Sequence, residues 1–575
     1  MKTIIDSLPK HLRKYVVDQN YEKYSPEDQA VWRYIMHQLR DYLSKHAHSC
    51  YLEGLEKTGI TTNKIPHIEE MSEKLKEFGW GAIPVSGFIP PAAFMEFQSL
   101  GILPIASDMR SIDHILYTPA PDIVHEAAGH APILINSEFA DYLKRYAEIA
   151  RKAILSKEDL NQYEAIRILS DIKENPESTP EEIKNAEKHL EKVSAAITKI
   201  SEAGWLSRMN WWTAEYGLIG DLRQPKIFGA GLLSSVGEAR KCLGSSVKKI
   251  PLTVDCVETG YDITEPQPQL FVTPDFETLH KVLEDLADKM AFRLGGEVGL
   301  SRALEAQTIN TVQLDSGLQV SGELEAFKLD DQKQPCFIKF KGPSQISYNY
   351  RQIEGQGPDY HNHGYSTPLG SFNGWNPNDG PLSLEKLKTL GIQMSQLTEL
   401  KYDSGITVTG VVNQVHNIDG EPKLIQFTNC RVEWNHDTLF QPEWGPFDLT
   451  LGTSVTSVFA GPADRNFLND STDFVAARVP IRKYSQEEQK THALFQQLRQ
   501  LRDSQSASAD QLQMIIEDWS KTESKNWLVG LEILELLNNL QDSDSLKDSV
   551  KKTILLTNNQ ESQSYFMDGY RLIKY

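Results

Sequence analysis

The sequence predicts a multidomain α+β protein: a mainly α-helical domain, then an all-β repeat domain, then a helical C-terminal region. Three observations predict it. At 575 residues the chain is longer than one hydrophobic core usually fills, so it should divide. The texture changes twice: helical patterns broken by Pro/Gly-rich loops run to about residue 300, period-two alternation takes over from 306 to 480, and helical periodicity returns from 485 to 575. Within the β-like stretch, LDSGLQVSGELEAFKLDDQKQPCFIKF (314–340) resembles YDSGITVTGVVNQVHNIDGEPKLIQF (402–427), which marks two related units.

Taken in order, residues 1–60 read as a helical segment packed on the main domain. Its clearest helix starts at Ser25 as N-cap with Pro26 in the first turn, and Val31, Tyr34, Ile35 and Leu39 recur at helical spacing. Residues 61–300 form that main domain, with long loops such as IPVSGFIPP and YTPAPD and few evident strands. Inside it, residues 155–203 are charged and helix-forming, with a turn-like cluster at Asn175–Pro180, and read as an inserted helical hairpin. Each β unit opens on Asp-Ser-Gly, alternates, turns before Pro335 or at Pro422, and continues as a second strand; a sandwich or small barrel is expected. Between the units, Asp359, His361 and His363 in GPDYHNHGY raise a second metal site against a plain polar loop, and the loop is the preferred reading.

The balance of 79 acidic against 59 basic side chains, a net charge of −20, argues against nucleic acid and anionic membranes as partners. The N-terminus lacks a secretory apolar core and no stretch is long enough to span a bilayer, so the cytoplasm is the expected address. The five cysteines are scattered and lack CxxC spacing, so any metal must be held by His and carboxylate.

PDIVHEAAGH (121–130) offers such ligands. His125 and His130 stand five apart, an advance of about 500° that leaves the rings about 140° apart on a regular helix. They converge only if the helix is distorted, by a π-turn or by ending at Gly129. The pair alone fits a structural role as well as a metal. Glu215, in the aromatic-rich WWTAEYGLIG (211–220), supplies a carboxylate that is costly to bury without a cation. Two imidazoles and one carboxylate suit a facial Fe(II) site that reacts with O2, and zinc hydrolysis is the competing chemistry.

The stretch from about 60 to 300 resembles the tetrahydropterin-dependent aromatic amino acid hydroxylases through IPVSGFIPPAAF, YTPAPDIVHEAAGHAP, WWTAEYGL, IFGAGLLSSVGE and TEPQPQLFV, in that order. The resemblance implies a catalytic domain of that fold over 61–300, with Fe(II), tetrahydrobiopterin or a related tetrahydropterin, and O2 as co-substrate. It implies His125, His130 and Glu215 as iron ligands and Glu126 as a carboxylate near the pterin. Arg110 would grip the substrate carboxylate, steadied by Asp122. Tyr117, Thr118, Pro119 and Pro121 would border the amino acid, and Trp211, Tyr216, Gly231 and Ser234 would wall its pocket. Val85, Gly87, Ile89 and Phe94 would hold the pterin, with Phe94 stacking on it, and Glu238 would be structural. Three departures stand out: Pro90 and Pro91 replace serines, Pro104 replaces a ring-bearing residue, and the gap from His130 to Glu215 is about twice the family's usual length.

Substrate choice is finer. Trp211 is more similar to the phenylalanine and tyrosine branches, and Ile263 stands where tyrosine hydroxylases tend to carry an acid, so phenylalanine 4-hydroxylation is predicted. Tryptophan or tyrosine hydroxylation is the alternative within the family. A zinc hydrolase and a non-catalytic binding protein are the rivals outside it. The C-terminal half carries no chemistry that the sequence announces, and a homo-oligomer contact there is a further expectation.

Overall fold

The computed structural model describes residues 2–86, 89–116, 122–174, 178–263, 266–375, 382–466 and 484–573. Helix Pro26–His46 begins with a reciprocal cap: Ser25 Oγ accepts from Asp28 N at 3.1 Å, and Asp28 Oδ2 accepts from Ser25 N at 2.8 Å. It buries Val31, Trp32, Ile35, Met36 and Leu39 in a core that reaches Trp212, Phe228 and Phe276 of the main domain. The same core continues into C-terminal helices Gln486–Asp503, Ala509–Lys521, Trp527–Asn538 and Gln560–Ile573 through Leu498, Trp519, Leu534 and Phe566. Polar bonds lock the same contact: Arg33 pairs with Glu535 and Glu532, and Tyr34 donates to the Tyr565 carbonyl at 2.8 Å. The first long helix is therefore packed on both sides.

The main domain holds more strand than the sequence reading expected. Gly81–Val85 pairs in parallel with Ile102–Ala106, and Leu218–Ile219, Lys226–Ile227, Lys248–Pro251 and Gln269–Thr273 form a small sheet. These strands span two to five residues, and Gly81–Val85 and Ile102–Ala106 are buried throughout, so no polar alternation exists to betray them. Pro104 lies inside Ile102–Ala106, opposite Ile83.

Helices Lys157–Glu174 and Pro180–Ala195 pack against each other, the second opened by a Thr179/Glu182 capping box. Few of their described side chains are buried, Ala165 and Ala186 among them. Beyond their C-terminal end, the buried carboxylate of Glu202 accepts from Ile154 N at 3.1 Å and Ala291 N at 2.7 Å and pairs with Arg302, tying three segments of the main domain together.

Residues 309–460 carry two open antiparallel sheets. One has Ile309–Leu314, Leu318–Leu329, Pro335–Tyr348, Arg351–Gln352, Gly364–Pro368 and Val455–Ala460; the other has Leu397–Lys401, Thr407–Ile418, Glu421–Trp434, Asp437–Phe440 and Phe447–Thr450. The similar segments 314–340 and 402–427 each enter through an Asp-Ser-Gly turn whose glycine, Gly317 or Gly405, sits at φ +85, a conformation that a Cβ disfavours. The sheets interlock, since Phe337 of the first lies in the core of the second and Leu424 of the second in that of the first. Val455–Ala460 returns to the first sheet, beside main-domain helix Gly296–Ala306, whose Leu300 and Ala303 complete that core. Past it, Arg465 Nη1 donates to Glu96 Oε2 at 2.9 Å, and the same buried oxygen lies 3.0 Å from His11 Nε2. Helix Pro91–Ser99 is thus held by the N-terminal segment and by the β region at one carboxylate.

Candidate metal centre

Val124–His130 is a π-helix, and so is Trp211–Glu215. A π-turn closes with an i+5 bond, and Tyr216 N donates to Trp211 O at 2.8 Å in that pattern. The distortion brings residues five apart to one face. His125 and His130 come together with ring centroids 5.0 Å apart, and Asn210 Nδ2 reaches Glu215 Oε1 at 3.4 Å. Gly129 lets the first π-helix approach the short helix Ala230–Leu233, because a Cβ there would meet Ala230 O at 2.6 Å.

His125, His130 and Glu215 each present one ligand atom, and these atoms lie within 4.8 Å of one another. Glu215 Oε2 is 3.3 Å from His125 Nε2, and Glu215 Oε1 is 3.3 Å from His130 Nε2. Burial works against the ionised Glu215 carboxylate, so it needs positive charge beside it. Hydrogen bonding assigns the tautomer of His125. Ser234 Oγ spends its proton on Ala230 O at 2.7 Å, so it can only accept from His125 Nδ1 at 3.0 Å. The His125 Nε2 lone pair then faces a carboxylate oxygen, an arrangement of two acceptors that a cation between them resolves. Among the described residues this is the one cluster of three or more His, Cys, Asp or Glu side chains arranged to hold a metal; the GPDYHNHGY loop yields no such group.

Arg110 and Asp122 form a buried pair. Nε donates to Asp122 Oδ2 at 2.6 Å and Nη2 to Oδ1 at 2.7 Å, while Nη1 reaches the Ser234 carbonyl at 3.3 Å. Asp122 Oδ1 also accepts from His125 N at 3.0 Å, so one carboxylate orients the guanidinium and caps the π-helix. Glu126 is buried next to this group, its Oε2 without a hydrogen-bond partner. Burial pushes its carboxyl up to about 8 against the pull of His130, with Glu215 and Asp122 adding to the rise.

Trp211 is sandwiched between Tyr216, with centroids 4.5 Å apart, and Tyr261, at 4.3 Å with the ring planes nearly parallel. Gly231 permits the approach of Tyr216, since a Cβ would meet its ring at 2.8 Å. Tyr261 and Ser207, whose oxygens lie 2.7 Å apart, and Asn210 were not singled out from the sequence. For Asn210 a signal existed, because it precedes Glu215 by the same five residues that separate the histidines.

Val85 and Ile89 belong to a small core with Leu8, Leu12 and Tyr15, Phe94 packs against it, and the Val85 carbonyl accepts from Ser107 N at 3.0 Å. Pro91 occupies the first turn of its helix, where a missing N–H costs nothing. Glu238 accepts a backbone bond from Gln267, and burial pushes its carboxyl up to about 7. Gly87, Tyr117, Thr118, Pro119 and Pro121 lie outside the described residues.

The family described as biopterin-dependent aromatic amino acid hydroxylase matches residues 14–161 and 189–300, and the break falls within the helical hairpin. Phenylalanine-4-hydroxylase of Mesorhizobium japonicum is 30% identical over 274 residues, 47% of this chain and 83% of that one. The enzyme of the same name from Chromobacterium violaceum is 27% identical over 285 residues, 47% of this chain and 81% of the relative. A solved structure of the latter with iron and phenylalanine bound is 25% identical and covers 50% of this chain and 92% of that one, with a TM-score of 0.37. On the family match and the 30% identity across most of the Mesorhizobium enzyme, the chain belongs to the biopterin-dependent aromatic amino acid hydroxylases.

Proposed function

We propose that the chain is a phenylalanine 4-monooxygenase that converts L-phenylalanine to L-tyrosine with O2 and a tetrahydropterin at an Fe(II) held by His125, His130 and Glu215. The observation that carries it is the pair of acceptors, His125 Nε2 and Glu215 Oε2, facing each other at 3.3 Å beside a third ligand. That donor set, two neutral imidazoles and one carboxylate, fits iron and leaves coordination positions open. When bound, iron with O2 and the pterin supplies the oxidising chemistry at the substrate ring.

The chain's own residues bind and aim. Arg110, fixed by Asp122, is placed to grip the substrate carboxylate, and since Asp122 also caps His125, a shift of the grip moves a ligand helix. Trp211 and Tyr216 offer the aromatic wall, with Gly231, Ser234, Tyr117, Thr118 and Pro119 completing the pocket. Glu126, buried with its Oε2 lacking a hydrogen-bond partner, offers a carboxyl group to the pterin; Val85, Gly87, Ile89 and Phe94 would form the rest of that site. Ile263 provides no polar partner for a phenol, so a tyrosine hydroxyl would be buried at a cost, and the names of the relatives point to the same substrate.

In this reading residues 61–300 are the catalytic domain with an insertion at about 155–203, 1–60 a helical segment packed on it, 306–480 a β domain of two related units, and 485–575 a helical region. Any self-association is assigned to the C-terminal half. The test is reconstitution with Fe(II), tetrahydrobiopterin and O2 in the presence of phenylalanine, tyrosine or tryptophan in turn. Tyrosine formed from phenylalanine is expected, and Glu215→Ala should lose iron and turnover together. Hydroxylation of tryptophan alone would reassign the substrate, and hydrolytic activity with zinc and no need of O2 would overturn the reading.

A further inference from the structure

Between the loop after Arg351–Gln352 and the paired strands Thr407–Ile418 and Glu421–Trp434 lies a cleft of about 380 Å3, within the range of roughly 300–1,000 Å3 usual for small-molecule sites. It opens where the two β units meet, beside the GPDYHNHGY loop, and no residue of the metal centre lines it. Gln356 and Tyr360 form one wall and Gln414, His416 and Gln426 the other.

The polar groups of both walls are aligned from behind by Asp448, which is 3% exposed. Its Oδ1 accepts from Gln356 Nε2 at 3.3 Å and from Gln426 Nε2 at 3.1 Å, and its Oδ2 accepts from Tyr360 OH at 2.8 Å. A carboxylate only accepts, so it fixes which end of each amide faces it. The other ends are fixed too: Gln356 Oε1 lies 2.7 Å from His361 Nε2, and Asn413 Nδ2 donates to Gln426 Oε1 at 2.6 Å. Two glutamines and a phenol are thus held rigid at the surface of a cavity, as a preorganised site requires. His416 lines the same wall with its ring.

The lining also selects a ligand class. Among the described residues no lysine or arginine lines the cleft and Glu354 is the one carboxylate, and the chain is at −20, so an anion would be repelled. A cation gains little, because the charge of Asp448 is already shared among three donors. Gln426 Nε2 also donates to Tyr360 OH at 3.2 Å, so the second N–H of Gln356 and the amide oxygens of Gln356 and Gln426, beside Tyr360, which is 43% exposed, are left to match hydroxyl groups alternating with C–H faces. We infer that the cleft between the β units, built on Asp448, Gln356, Gln426 and Tyr360, binds an uncharged polyhydroxylated small molecule of about monosaccharide to disaccharide size.

The test is saturation-transfer NMR on the full-length protein with methyl α-glucoside, methyl β-galactoside, trehalose and myo-inositol at millimolar concentration, with inorganic phosphate and L-arginine as charged probes. Transfer from at least one neutral probe is expected. Its Kd should rise about tenfold in Gln426→Leu and in Tyr360→Ala, the loss of one well-placed contact. His416→Ala, which leaves the Asp448 network intact, should weaken binding in a chain whose thermal transition is unchanged. The inference fails if no neutral probe shows transfer, if transfer is unaltered in all three variants, or if only phosphate or arginine binds. Iron content and phenylalanine turnover are measured on the same samples, so failure here is distinct from failure of the proposed reaction.

Discussion

His361 is buried, with Nε2 2.7 Å from Gln356 Oε1 and its ring against Tyr360 and Tyr365. Burial lowers its pKa to about 4 against the opposing pull of Asp448. The folded state therefore binds this proton later than the unfolded chain, whose histidine titrates near 6.5, so stability falls as pH drops through that window. Denaturant titrations of wild type and His361→Asn from pH 7 to pH 4 should show a shallower loss in the variant; parallel curves would mean that His361 is not held neutral. At this scale the sequence was uneven. Spacing alone said that His125 and His130 could not share a regular helix, and a carboxylate among aromatic residues said that Glu215 wanted a cation. It could not reveal that Ser234 fixes the His125 tautomer, because that depends on a hydroxyl 109 residues away whose own proton goes to Ala230. Nor could it reveal Tyr261, whose stacking on Trp211 depends on two segments meeting in space.

The two π-helices are the elements that create the centre, and one of them depends on a glycine. Gly129→Ala would push a Cβ to 2.6 Å from the Ala230 carbonyl, a backbone atom that cannot swing aside. Overpacking of this kind costs about 1–3 kcal/mol, and here it should also part His125 from His130. Lower iron content and a lower melting temperature are expected. Gly237→Ala, where the nearest atom is 3.7 Å away, should be neutral in both measurements. A Gly129→Ala protein that keeps its iron would show that the close approach is not needed. Elements with long periodic faces were readable in advance, as Ser25 to Leu39 shows. The small sheet at Leu218–Thr273 was not, because a two-residue strand carries no period and owes its pairing to its neighbours.

Across the whole molecule, the C-terminal helices and the first long helix share one core and a set of ionic contacts. Arg33→Leu would leave Arg502, whose Nη2 lies 2.7 Å from Glu532 Oε2, as the remaining arginine of Glu532 and Glu535 among the described residues. Stripping a partner from a mostly buried carboxylate pair costs about 3–5 kcal/mol, and the remaining arginine should hold this case near the lower end. Unfolding followed by tryptophan fluorescence and by circular dichroism should then shift to lower denaturant together. If only a minor part of either signal moves, the C-terminal helices melt as a separate unit.

That shared core also sets a timetable for synthesis. Arg33 emerges from the ribosome 499 residues ahead of Glu532, an interval of roughly 25–100 seconds at about 5–20 residues per second. Throughout it, the face of the first helix that Leu534 and Phe566 will cover stays wet and sticky. A nascent chain of this protein therefore carries its last docking surface from the start, and chaperone occupancy on ribosome-bound chains should persist until the Trp527 helix is out.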